Sequence, residues 1–107
     1  MCSSDLADWF IRDSTFKHGV KTPYELFKEL QAYDLTDHAA KIECETLIMD
    51  GTEETFQKGQ AQQLYDLLTC PKEMLILDGS TTAQLHCQNG ASGAAAEFTF
   101  EWLDDRL

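Results

Sequence analysis

Two short apolar runs constrain this chain more than any other feature. Thr46-Leu47-Ile48-Met49 and Met74-Leu75-Ile76-Leu77 are each closed by an Asp-Gly pair, Asp50-Gly51 and Asp78-Gly79. Continuous apolar runs of this length that stop at a turn dipeptide read as strands buried on both faces. Between them, Gly59 to Leu68 carries helical spacing, with Ala61, Leu64, Tyr65, Leu67 and Leu68 on an inner side, and Pro71 bars its continuation. After the second run, Gly90 to Leu107 is again helical in pattern. Ala94, Ala95, Phe98, Trp102 and Leu103 form its core face, and Glu97, Glu101, Asp104 and Asp105 its wet face. Strand, helix, strand, helix is a βαβα unit, so the two strands are expected to lie parallel with a right-handed crossover. The fold class is α/β. Sheets of this kind normally hold more than two strands, so at least one long edge here lacks a partner. The architecture reads as part of a larger sheet, with self-association through the open edge as its expected hazard.

Two helices are expected ahead of this unit. Ser4 to Lys17 places Leu6, Trp9, Phe10 and Phe16 at near-helical spacing, with Ser4 as N-cap and Gly19 as stop signal. Thr22-Pro23-Tyr24-Glu25 opens the next: Thr22 caps, Pro23 suits the first helical position, and Glu25 completes a capping box. Tyr24, Leu26, Phe27, Leu30 and Tyr33 then make one broad apolar stripe, and a short helical turn is expected from Asp37 to Lys41. The Trp9/Phe10 and Phe98/Trp102 pairs sit at core spacing. With 107 residues and no repeats or Pro/Gly-rich linker, a single domain is expected, 1–41 leading into 42–107.

Composition excludes several partner classes. Nineteen acidic side chains against eight basic ones give a net charge of −11, which opposes unaided binding to nucleic acid or anionic membranes. The apolar runs fall far short of the roughly 20 residues a bilayer requires. Met1-Cys2-Ser3-Ser4-Asp5-Leu6 has neither a basic nor an apolar leader region, so the expected location is the cytoplasm. Cys2, Cys44, Cys70 and Cys87 are widely spaced and read as reduced thiols rather than a disulfide framework. Neither they nor His18, His38 and His86 show a zinc-ligand spacing, so no metal and no cofactor is expected.

Ligands in open α/β sheets bind beyond the carboxyl ends of the strands. Two loops leave such ends, Asp50 to Gly59 and Asp78 to Cys87. Parallel strands put both on one rim, so a carboxylate of the first can meet His86 of the second, as an acid that orients a histidine base. A plainer reading of the same residues makes Glu53 and Glu54 solvated turn charges and His86 a cap for the last helix. Cys87 beside His86 invites a thiol-nucleophile reading, but sequence neighbours usually point apart, which leaves Cys87 a small packed thiol.

The pattern resembles a known family. Thr46-Leu47-Ile48-Met49-Asp50-Gly51, Glu53-Glu54, Gly59-Gln60 and Leu64-Tyr65 resemble the penultimate-strand region of α/β-hydrolases. Cys70-Pro71-Lys72-Glu73, His86-Cys87 and Phe100-Glu101-Trp102-Leu103-Asp104 resemble the segment through the final helix. The branch most similar contains pseudooxynicotine-type C–C hydrolases and fungal pigment hydrolases that shorten polyketides. The resemblance is strong from Ile42 to Leu107; Pro23 to Phe27 and Tyr33-Asp34-Leu35 resemble the exit from the family's cap region less specifically. It implies the C-terminal βαβα portion of that fold, with N-terminal helices, in a partial domain spanning 1–107. It implies His86 as catalytic histidine and Glu54, where the family usually has Asp, as triad acid, with Glu53 as fallback. It implies a small-molecule ester or ketide-type substrate. Glu45 departs from the family's usual proline and puts a charge at the mouth of a buried strand. The larger departure is that no Gly-x-Ser-x-Gly elbow occurs in the sequence; Asn89-Gly90-Ala91-Ser92-Gly93 follows the histidine instead. The chain thus reads as the acid-and-base segment of a serine-type hydrolase, inactive by itself. The alternatives are a non-catalytic truncated paralogue and a small α/β interaction module.

Overall fold

The computed structural model describes residues 3–107, and the chain divides into two compact units, Met1–Asp34 and Leu35–Leu107. The expectation for Cys2 lies outside the described residues.

The first unit is a helix pair. Helix α1 (Ser3–His18) already includes Ser4, which is therefore helical rather than the N-cap. It ends where predicted, because Gly19 takes a left-handed φ of 67°. That conformation lets Gly19 N–H reach Phe16 O at 3.2 Å and Val20 N–H reach Thr15 O at 3.1 Å, so the last carbonyls of the helix are satisfied. Helix α2 (Pro23–Leu30) carries the complete capping box. Glu25 N–H donates to Thr22 Oγ1 at 3.2 Å, while Glu25 Oε2 accepts from the N–H groups of Lys21 at 2.8 Å and Thr22 at 3.0 Å. The Lys21 N–H, foremost, holds the Glu25 carboxyl below its ordinary range. The expected apolar stripes are mostly uncovered: Leu26 is buried, whereas Trp9, Phe10, Phe16, Tyr24, Phe27 and Tyr33 are exposed. The Trp9/Phe10 pair is thus not core. Two short helices can enclose one ridge between them but have no third layer to cover a broad stripe.

The second unit is the βαβα core. Strands β1 (Thr46–Gly51) and β2 (Lys72–Leu77) pair in parallel, in register from Thr46↔Lys72 to Gly51↔Leu77. Helix α3 (Gln60–Leu67) connects them and helix α4 (Ser92–Asp104) follows. A 3₁₀ turn, Ala39–Lys41, precedes β1 within the stretch expected to be helical. Because strand side chains alternate, the apolar runs serve two layers at once. Ile48 and Met74 pack with Ala39, Leu64, Tyr65 and Leu68 beside α3. Met49, Leu75 and Leu77 pack with Ala83, Ala95 and Phe98 beside α4. Leu67 and Ile76 fall outside both cores: Leu67 is exposed, and Ile76, on the Met74 face, is 52% exposed. Full burial of both strand faces is therefore not reached, since α3 covers Ile48 and Met74 and not the sheet beyond them.

Glu45 is accommodated by a clamp. Arg106 Nε donates to Glu45 Oε1 at 2.7 Å, Arg106 Nη2 to Glu73, and Nη1 to the Trp102 carbonyl at 2.9 Å. The guanidinium lies over the Trp102 ring at 4.1 Å. A charge at the strand mouth thus ties the end of α4 to the starts of both strands, and the carboxylates, Glu45 first and then Glu73 and Asp105, hold the Arg106 proton more firmly than usual.

Leu77→Ala is expected to destabilise the unit by about 2–5 kcal/mol. Ile76→Thr, on the open stretch of the opposite face, should change stability by less than about 0.5 kcal/mol. Urea unfolding of the two variants checks the assignment of faces.

Candidate active site

Parallel pairing delivers the two loops to one end of the sheet. Their approach is close because Gly51 has no side chain. A Cβ there would lie 2.2 Å from the Gln84 carbonyl oxygen and 2.6 Å from its carbon. That same carbonyl accepts from Glu53 N–H at 2.9 Å, and Thr52 N–H donates to Leu77 O at 2.9 Å. The first loop is thereby laid against the second before any acidic side chain is considered.

Glu54 and His86 meet across this seam. His86 Nδ1 stands 2.6 Å from Glu54 Oε2. The Glu54 side chain is only 11% exposed and that of His86 37%. An ionised carboxylate only accepts, so the proton of the neutral ring resides on Nδ1 and Nε2 is left as an acceptor. Glu54 Oε1 takes the N–H groups of Phe56 at 2.6 Å and Gln57 at 3.0 Å. The Gln57 N–H leads in holding the Glu54 carboxyl below its ordinary value; burial opposes it, and His86 and the Phe56 N–H add to it. The longer glutamate side chain is therefore pinned by its own loop rather than left loose. Glu53 takes part through its backbone N–H, and its carboxylate is not the one on His86.

The plainer reading of these residues holds for Glu53, which is exposed, and not for Glu54 or His86. Glu54 is no solvated turn charge, and His86 opens a 3₁₀ turn, His86–Gln88, while α4 starts from Ala91 without a side-chain cap. Cys87 also departs from expectation. Its Sγ lies 3.3 Å from His86 Nε2, because Cys87 adopts a φ of 53° that turns its side chain back toward its neighbour. Extended neighbours point apart, whereas a left-handed residue need not. Phe56, which no spacing argument singled out, lies against the imidazole with ring centroids 4.9 Å apart. Glu54, Phe56, Lys58, Leu85 and His86 border an open depression of about 540 Å³. Among the described residues no three His, Cys, Asp or Glu side chains converge as metal ligands, and Cys44, Cys70 and Cys87 are free thiols.

Gly51→Ala should cost about 1–3 kcal/mol in urea unfolding, since the Gln84 carbonyl must move to admit the methyl group. The Glu54 carboxyl has a lowered folded value, so its charged form adds stability that is fully present above the unfolded value of about 4.3. That contribution fades as pH falls through the lower folded value. Wild type should exceed Glu54→Gln in urea midpoint at neutral pH, and the gap should close on acidification below about 4.3.

No protein-family model and no solved structure matches the chain. It is 30% identical over 114 aligned positions to the α/β hydrolase psoB of Aspergillus fumigatus. The alignment covers 94% of this chain and 25% of that protein, so the chain spans about a quarter of the length of the curated relative it matches. Together with a mixed α/β unit built on two parallel strands, this similarity supports an α/β-hydrolase-like segment.

Proposed function

We propose that this chain supplies the acid and the base of a serine-type α/β-hydrolase site, with the nucleophilic hydroxyl contributed by residues outside these 107. The contact between His86 Nδ1 and Glu54 Oε2 at 2.6 Å carries the reading. It is the arrangement that fixes an imidazole tautomer and leaves Nε2 to accept a proton. The similarity to psoB over a quarter of that hydrolase supports it.

In the proposed cycle, Nε2 of His86 takes the hydroxyl proton as the oxygen attacks a carbonyl carbon. The imidazolium is stabilised by ionised Glu54, which keeps its charge throughout. Collapse of the tetrahedral intermediate breaks the bond to the leaving group, which takes the proton from Nε2. Water then attacks the acyl-enzyme and gives a proton to His86; the bond to the enzyme oxygen breaks, that oxygen takes the proton back from Nε2, and the acid departs. The substrate is an ester, or a C–C bond next to a carbonyl, in an aromatic or ketide-type compound; the walls offered by Phe56 and Leu85 suit such a group.

A second reading, a non-catalytic interaction chain, is favoured by one feature. A sheet of two strands leaves each strand with an unpaired edge, a template for another strand.

The 107-residue chain alone should take up no fluorophosphonate label, since its sequence has no Gly-x-Ser-x-Gly elbow. Joined to an upstream segment with a strand and that elbow, it should gain labelling and ester turnover. In that longer protein, His86→Ala and Glu54→Gln should each lower kcat by about 10⁴-fold. A stoichiometric adduct on the short chain, or turnover indifferent to His86, overturns the reading.

A further inference from the structure

We infer that Cys87 is an activated thiol, a site of covalent modification by soft carbon electrophiles such as conjugated enones and quinones. Three groups stand in series: Glu54 Oε2 at 2.6 Å from His86 Nδ1, and His86 Nε2 at 3.3 Å from Cys87 Sγ. A nucleophile hydrogen-bonded to a base that is itself oriented by a third group is the general arrangement of an activated side chain. With the ring proton on Nδ1, the Cys87 S–H donates to Nε2. The thiol is exposed to solvent. It adjoins a histidine that borders the open depression walled by Phe56 and Leu85, surfaces suited to a flat conjugated carbonyl compound.

The chemistry balances without an oxidant. The Cys87 proton passes to Nε2, and the sulfur electron pair forms a C–S bond to the β-carbon of the enone. The C=C π pair shifts toward the carbonyl as an enolate, and the α-carbon then takes the proton from the imidazolium. Net addition of S–H across C=C leaves the ring neutral and Glu54 ionised. Nothing in this step needs the serine of the proposed hydrolase, so it stands or falls independently of that reading.

The chain carries its own reference thiol, because Cys44 is also exposed and has no histidine on its sulfur among the described residues. N-ethylmaleimide is the probe, with consumption of each cysteine followed by peptide mass spectrometry at pH 7. Native Cys87 should react about tenfold faster than Cys44 or more, and the two should converge in concentrated urea. His86→Asn should bring Cys87 down to the Cys44 rate, and Glu54→Gln should slow it several-fold with Cys44 unchanged. A Cys87:Cys44 ratio equal in native and unfolded wild type overturns the inference even if a variant fails to fold. So does a native ratio that survives His86→Asn in a folded protein.

Discussion

Parallel pairing of β1 with β2 is the constraint on which the rest of this structure depends. It sends both strands toward the same edge, so the loops that leave them are neighbours although Glu54 and His86 lie 32 residues apart in sequence. An antiparallel pair would place those loops at opposite ends. The pairing also divides the apolar runs between two layers, α3 over Ile48 and Met74 and α4 over Met49, Leu75 and Leu77. Gly51 then closes the remaining gap. The space of its missing side chain is taken by the Gln84 carbonyl, which lets the two loops lie directly against each other.

On that seam the glutamate is held from both sides. One oxygen faces His86 and the other accepts the N–H groups of Phe56 and Gln57. A carboxylate tied in this way loses little entropy on meeting the ring, and its mostly buried position strengthens the attraction. The extra methylene relative to aspartate is accommodated because the loop itself grips the carboxylate. The thiol of Cys87 stands on the other ring nitrogen, so each nitrogen of His86 has a partner, Glu54 on Nδ1 and Cys87 on Nε2.

At the far end of the strands, Arg106 answers the charge that Glu45 places at the sheet mouth. It bridges Glu45, Glu73 and the Trp102 carbonyl while stacking over the Trp102 ring. Asp104 and Asp105, unfavourable at a helix C-terminus by themselves, are followed at once by this cation. The site at one end of β1 and β2 and the clamp at the other both depend on the same two strands staying in register.

Much of this was legible in the residues. The Asp-Gly closures, the helix spacing between the runs, the Thr22 capping box and the Gly19 stop are local signals, each set by a backbone preference or a short-range hydrogen bond. They established the element order and, through the parallel rule, the meeting of an acidic loop with His86. Spacing alone did not choose between Glu53 and Glu54, and only the family resemblance ranked Glu54 first. That choice depends on which backbone N–H groups the loop turns inward. Nor could the sequence show the left-handed turn at Cys87, which a non-glycine residue adopts only when its surroundings impose it. The same limit explains the exposed stripes of Trp9, Phe16 and Tyr24: periodicity shows which residues share a face, but only tertiary packing decides whether another surface comes to cover it.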